Sequence, residues 1–169
     1  DAESMLALKD LMGALGSANI DCRQDGADYD LSQRDFYTFN TGIAGIEEAD
    51  ALLIVGAIPR QDAPVLNARI RKRFVAAGRG GFPIAMIGAP QADPTYAVDV
   101  LGDGPDALAD LAAGRSPFLD VLKKAAKPMI IVGHGALPRP DARAILYAAW
   151  AIAGHRRARH AHWLGLTVL

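Results

Sequence analysis

Residues 47–74 read EEADALLIVGAIPRQDAPVLNARIRKRF, and this stretch decides the fold. Ala51 to Val55 is a short apolar run ended by Gly56, which predicts a buried strand. Pro59 cannot donate to a sheet ladder, so the strand does not continue through it. Asp62 is suited to cap a following helix whose first turn tolerates Pro64. Leu66, Ile70 and Phe74 then recur four apart on one face, while Arg69, Arg71, Lys72 and Arg73 occupy the others. Strand, tight corner and amphipathic helix make half of a βαβ unit. Ligand sites in such folds lie at the carboxyl ends of the strands, which singles out Gly56 to Arg60.

Outward from this unit the pattern repeats. Ile84 to Ile87 and Pro128 to Val132 are further short apolar runs, ended by Gly88 and Gly133, and both predict buried strands. Helical spacing of Met5, Leu8, Met12 and Leu15, stopped by Gly16, predicts a helix over 3–15. Residues 105–113 and 117–126 predict short helices opened by proline, and 141–153 a helix halted by Gly154. Asn19 to Cys22 and Tyr96 to Val100 are weaker extended candidates, and 44–48 a single helical turn. Residues 24–41 show no period and predict a long functional or partner-contacting loop. Val132-Gly133 followed by Pro138-Arg139-Pro140-Asp141 echoes Val55-Gly56 followed by Pro59-Arg60-Gln61-Asp62, so two equivalent strand-to-helix corners are expected. Alternating strands and helices of this kind predict an α/β fold: one domain over 1–169, Rossmann-like, its parallel sheet covered by helices on both faces.

Composition excludes several function classes. The 169 residues are 51% hydrophobic and 22% charged, as in a soluble globular domain, with a formal net charge of −1. That balance gives no general attraction to nucleic acid or to an anionic membrane, and no apolar run approaches the roughly 20 residues of a membrane-spanning helix. A single cysteine, Cys22, excludes an intrachain disulfide and a four-cysteine iron–sulfur cluster built from this chain alone. The chain begins inside a helical pattern with no initiator methionine, so it is read as a piece of a longer polypeptide.

The string Ala49-Asp50-Ala51-Leu52-Leu53-Ile54-Val55-Gly56, with Pro59-Arg60 and Ala63 to Lys72, resembles a signature of the molybdopterin oxidoreductase fold. Arg60 and Asn67 to Lys72 are most similar to the large iron–sulfur subunits of NADH:quinone oxidoreductase, respiratory complex I (the 75 kDa subunit in mitochondria and its bacterial counterpart). Asp21 to Ala27, Phe39-Asn40, Ile43 to Glu47 and Pro128 to Gly133 are also similar, in the same order. The resemblance implies a subunit that takes part in electron transfer from NADH to quinone, with its iron–sulfur clusters in a separate N-terminal region. It implies other peripheral-arm subunits as partners, no nucleic acid and no direct membrane insertion. The implied location is the inner face of a bacterial plasma membrane or the mitochondrial matrix.

Four candidate sites and one basic helix face follow, none with a catalytic constellation. Gly56, Ile58, Pro59 and Arg60 match the segment that in molybdopterin enzymes helps to bind the nucleotide part of the cofactor. There an asparagine commonly precedes the proline; here Ile58 can neither donate nor accept a hydrogen bond. The corner is therefore read as structural, a vestigial pocket without cofactor, with true molybdopterin binding as the alternative. Gly133, His134 and Gly135 have two glycines of a phosphate loop, but the G-x-G-x-x-G pattern fails at Pro138, and a tight corner explains them as well. Cys22 lies near the part of the family's chain that supplies a molybdenum ligand, without aligning on it, and is read as a small hydrophobe, so no metal site is expected. The tract Gly154 to His162 carries three histidines and three arginines with no carboxylate or cysteine to complete a metal site, and reads as a solvated connection or a basic surface for a neighbouring subunit. The basic helix face around Arg69 to Arg73 lacks interleaved aromatics for stacking bases, and is read as solvated or paired with a partner's acidic residues.

Overall fold

A computed structural model describes residues 2–20, 26–88, 93–154 and 163–169. The five strands are β1 (Ala51–Val55), β2 (Ile84–Ile87), β3 (Asp99–Gly102), β4 (Pro128–Val132) and β5 (Leu166–Val168). They form one sheet of order β3-β2-β1-β4-β5, with every pairing parallel. β1 is central because it is apolar throughout: all five residues are buried, as a strand covered on both faces requires. Leu52 faces Ile84 on one side and Met129 on the other.

Side-chain alternation along β1 divides the core in two. Leu53 and Val55 point into a cluster with Leu108, Phe118, Leu122, Leu146 and Ile152. These come from α4 (Pro105–Ala112), α5 (Phe118–Lys124) and α6 (Ala142–Gly154). Leu52 and Ile54 point the other way, onto Leu66 and Ile70 of α3 (Pro64–Ala77) and Ile46 of the 3₁₀ turn Ile43–Glu47. Phe74 completes the α3 stripe, partly buried against the same cluster. The expected α/β architecture, with helices on both faces, is therefore the observed one.

The basic face of α3 stays largely open to solvent, as expected, and is also paired within the chain. Arg69 and Lys72 both donate to Glu47, at 2.8 and 2.9 Å, and the Lys72 contact above all holds that carboxyl below its ordinary range. Arg73 donates to the Ala49 carbonyl at 2.7 Å and lies 5.1 Å from the Phe82 ring centre. Of the four cations, three find acceptors inside this chain while the Arg69 and Lys72 side chains remain open to solvent, so the expectation is corrected only in that their acceptors are the chain's own.

Several boundaries differ from expectation. Asn19 and Ile20 are not in a strand, and Cys22 lies outside the described residues. The edge strand β3 starts at Asp99, not Tyr96, because Tyr96 is drawn instead into a buried hydrogen bond with Asn67. β5 was not expected: three residues after Gly165 are too few to carry a period. Residues 26–41, expected to face a ligand or partner, strap α6 to the sheet. Arg143 donates to both carboxylate oxygens of Asp28 at 2.9 and 3.0 Å, and Tyr147 to Asp30 at 2.5 Å. Phe36 is fully buried edge-on to Tyr147 and Trp150. Asn40 donates to the Leu166 carbonyl at 2.7 Å, fastening the strap to β5.

α1 (Ala2–Ala14) is the exception to this packing: none of its residues is buried, and Met5, Leu6, Leu8 and Leu11 are all exposed. A helix of this length draws most of its stability from tertiary contacts, and α1 makes none that bury it. Deleting residues 1–16 is therefore expected to change unfolding free energy by less than about 0.5 kcal/mol in urea titrations.

The strap has an acid-sensitive fastening. Hydrogen bonds from Ser32, then from Tyr147, hold the Asp30 carboxyl at about 2 instead of 3.8. A carboxyl depressed in the folded state adds stability above its unfolded value and loses it as pH falls through the folded one. The melting temperature of the unmodified chain should exceed that of Asp30→Asn at pH 6, and the gap should close between about pH 4 and pH 2. A gap that persists unchanged at pH 2 contradicts this assignment.

Candidate functional site

The strand order reverses at β1: β2 and β3 lie to one side, β4 and β5 to the other. In open α/β sheets the crevice beyond the strand ends at such a switch point is where ligands bind. Here it is bordered by the two corners singled out from sequence, Gly56 to Arg60 after β1 and Gly133 to Gly135 after β4. The structure brings them together. Gly133 N–H donates to the Val55 carbonyl at 2.8 Å, and Gly56 N–H to that of Ile87 at 2.9 Å.

The contact between the corners explains the glycines. Gly56 has φ 60°, a left-handed conformation, and a Cβ there would lie 2.7 Å from both the N and the Cβ of Ala136. A Cβ on Gly133 would overlap the Ala57 methyl and lie 2.8 Å from the Ala57 Cα and the Gly56 carbonyl oxygen. One on Gly135 would lie 2.7 Å from that same oxygen. The backbones approach so closely that only hydrogen fits between them. Gly133 to Gly135 therefore form a packed corner with a 3₁₀ turn at His134–Ala136.

Each remaining member of the first corner is engaged within the chain. Pro59 is buried and opens the short helix α2 (Pro59–Asp62). Ile58 packs against the α3-side core. Its N–H donates to Asp62 at 2.6 Å, so Asp62 closes the Pro59 turn and does not cap α3, whose N-cap Ala63 has no side-chain cap bond. This corrects the expected cap: Asp62 is pulled back by the unpaired N–H one turn earlier. Arg60 donates to the Asp93 carboxylate at 2.7 Å. The echo at the second corner is weaker, because the Asp141 carboxylate is held by both arms of Arg139 at 2.7 and 3.0 Å.

A third segment closes over the first corner, and sequence reasoning missed it. Asn67, buried on α3, donates to the Pro94 carbonyl at 3.2 Å and accepts from the Tyr96 hydroxyl at 2.9 Å. Burial pushes the Tyr96 phenol above its ordinary range, so it remains a donor. With Arg60–Asp93, these bonds fasten the connection between β2 and β3 across the start of α2 and α3. An asparagine on the otherwise apolar face of Leu66 and Ile70 was the available signal.

The crevice that remains holds about 80 Å³, lined by Gly56, Gly88, Gly104, Pro105, Ala136 and Arg139 among others. Small-molecule sites commonly enclose about 300–1,000 Å³. Ile58 offers no polar atom on its side chain, Arg60 is committed to Asp93, and Ala136 fills the space above Gly56. No group of three metal-ligating side chains occurs among the described residues; Cys22, His155, His160 and His162 lie outside them.

Substituting Gly133→Ala should destabilise the fold by about 1–3 kcal/mol through overlap with Ala57. Adding Ala57→Gly should return part of that loss, measured as a double-mutant cycle in urea, while the Ala57 Cα and Gly56 oxygen still prevent full recovery. Additive effects would show that the two corners do not constrain each other.

Comparison with known proteins agrees with this geometry. A family model described as molybdopterin oxidoreductase matches residues 1–169. The chain is 43% identical over 169 residues, all of its length and 22% of the relative's, to the mitochondrial NADH dehydrogenase [ubiquinone] iron-sulfur protein 1 of Solanum tuberosum. It is 44% identical over 144 residues, 85% of its length and 21% of the relative's, to an NADH-quinone oxidoreductase subunit of Rickettsia felis. Against the subunit of the same name in Rickettsia conorii it is 41% identical over 167 residues, 99% of this chain and 24% of that one. The chain thus spans less than a quarter of the length of these curated relatives. No described helix is long and apolar enough to cross a membrane. The sheet order, the two glycine corners and the full-length family match together place this chain in the molybdopterin oxidoreductase family.

Proposed function

We propose that this domain is a scaffold within the large iron–sulfur subunit of an NADH:quinone oxidoreductase. In this reading it keeps the molybdopterin oxidoreductase fold and holds no cofactor of its own. Electrons pass from NADH towards quinone through groups held elsewhere, in an iron–sulfur region outside these 169 residues. No residue here is catalytic, and the domain's work is to position other parts of a peripheral assembly. That assembly faces the cytoplasm of a bacterium or, by homology, the mitochondrial matrix, and it meets the membrane through its partners.

The observation that carries the reading is the filled corner. Gly56 lies against Ala136, Ile58 packs half-buried against the core, and Arg60 pairs with Asp93 at the surface. A nucleotide entering there would displace the chain's own contacts and meet an aliphatic group where it needs a polar one. The similarity to relatives named as NADH dehydrogenase subunits supports the assembly, and the exposed apolar ridge of α1 supports a domain built to be covered. The alternative, a domain that binds molybdopterin, rests on the family match alone.

The chain purified from a bacterium that makes molybdenum cofactor should carry no stoichiometric molybdenum and no pterin fluorescence. Calorimetric titration with guanosine diphosphate should give no binding heat. Stoichiometric metal, or nucleotide binding that Gly56→Trp abolishes, would overturn the scaffold reading in favour of the alternative.

A further inference from the structure

The two edges of the sheet are treated differently. β5 is shielded from within the chain: Phe39 bridges Thr167, and Val168 N–H donates to the Thr38 carbonyl at 3.1 Å. β3 ends the sheet on the other side with no strand beyond it among the described residues. Asp99 and Val100 on it are exposed, and a bulge at Leu101 limits the edge to a short length. An exposed edge presents unpaired N–H and C=O groups that template the addition of another strand.

The ground on either side of β3 is shaped and charged. At its start an open, mainly apolar groove of about 570 Å³ is lined by Phe74, Phe82, Ile84 and Val98, with Arg79 and Asp99 also on its wall. At its end a second concavity, of about 600 Å³, is bordered by Asp103, Asp106, Asp110 and Arg115. Arg115 is taken by Asp110 at 2.5 Å. Neither Asp103 nor Asp106 is held in an ion pair among the described residues, although Arg139 lines the neighbouring crevice with Asp103, so three carboxylates against Arg115 leave this end acidic.

The grooves lie on opposite faces of the sheet, the apolar one beside α3 and the acidic one beside α4. The chain's own residues show the spacing that spans them. Val98 packs on the α3-side core and Leu101, three residues later, on the α4-side core. That spacing crosses the bulge at Leu101, but a regular strand laid along the edge also alternates faces, with period two. Side chains an odd number apart reach both grooves; side chains an even number apart reach only one.

We propose that the β3 edge is a strand-addition site for an extended segment of a partner polypeptide bearing a bulky apolar residue and, three positions away, a lysine or arginine. Main-chain bonds to β3 supply affinity, and the two grooves supply selectivity. The uncompensated carboxylates choose a basic occupant over a second copy of this chain, which would bring the same Asp103 and Asp106 to the contact.

The test uses labelled valine–threonine peptides carrying one phenylalanine and one lysine, placed either three or two positions apart in both orders. Fluorescence anisotropy with the 169-residue chain should show at least about tenfold tighter binding for one of the three-apart peptides. That binding should weaken as salt is raised and in the surface variant Asp103→Asn/Asp106→Asn. Hydrogen exchange should slow at Asp99 to Gly102 when the peptide binds. Absent binding, equal binding of both spacings, or protection confined to other segments would overturn the proposal. So would a concentration-dependent dimer that protects Asp99 to Gly102 without peptide, since the occupant would then be a second copy.

Discussion

The fold depends on how closely two backbones approach at the carboxyl end of the sheet. β1 and β4 run side by side, and each must turn sharply into the helix that follows. The turns fall at the same height, so they collide unless side chains are omitted from both. Gly56 and Gly133 omit them, with Gly135 beside. A side chain at any of the three would push the corners apart, and with them α3 and α6, which pack on opposite faces. The constraint is steric, and it is met whether or not a ligand is present.

The same contact shapes what the crevice can hold. A doubly wound sheet opens at its switch point because helices leave in opposite directions. Here the opening is narrowed by the chain itself: Ala136 against Gly56, Ile58 half-buried on the α3-side core, and the segment Asp93 to Tyr96 held by Arg60 and Asn67. These contacts are all internal to the domain and form without any ligand. The relatives it matches are several times longer than this chain.

The central elements were legible because their signals are local. Ala51 to Val55, Ile84 to Ile87 and Pro128 to Val132 are continuous apolar runs with a glycine at the end, and each is a strand over those residues. The α3 stripe of Leu66, Ile70 and Phe74 was equally plain. What escaped depends on tertiary partners. β5 is too short for a period and is held by its pairing with β4 and by contacts from Thr38, Phe39 and Asn40. Residues 26–41 have the composition of a loop for binding, and only α6 reveals that Asp28, Asp30 and Phe36 fasten it to this domain. Of the site, the corner glycines were visible by motif. The roles of Arg60 and Asn67 were not, because Asp93 and Pro94 lie some thirty residues away.

The latch between Asn67 and Tyr96 and the strap at Asp30 differ in one respect that bears on how the domain comes apart. The buried phenol is hard to ionise, so its bond holds through neutral and mildly alkaline solution and yields only above the ordinary phenol value of 10. The exposed carboxylate network yields at the opposite extreme. Acid should therefore loosen the α6 side of the sheet first, and strong alkali the α3 side. Each face of one continuous sheet carries its own chemical weak point.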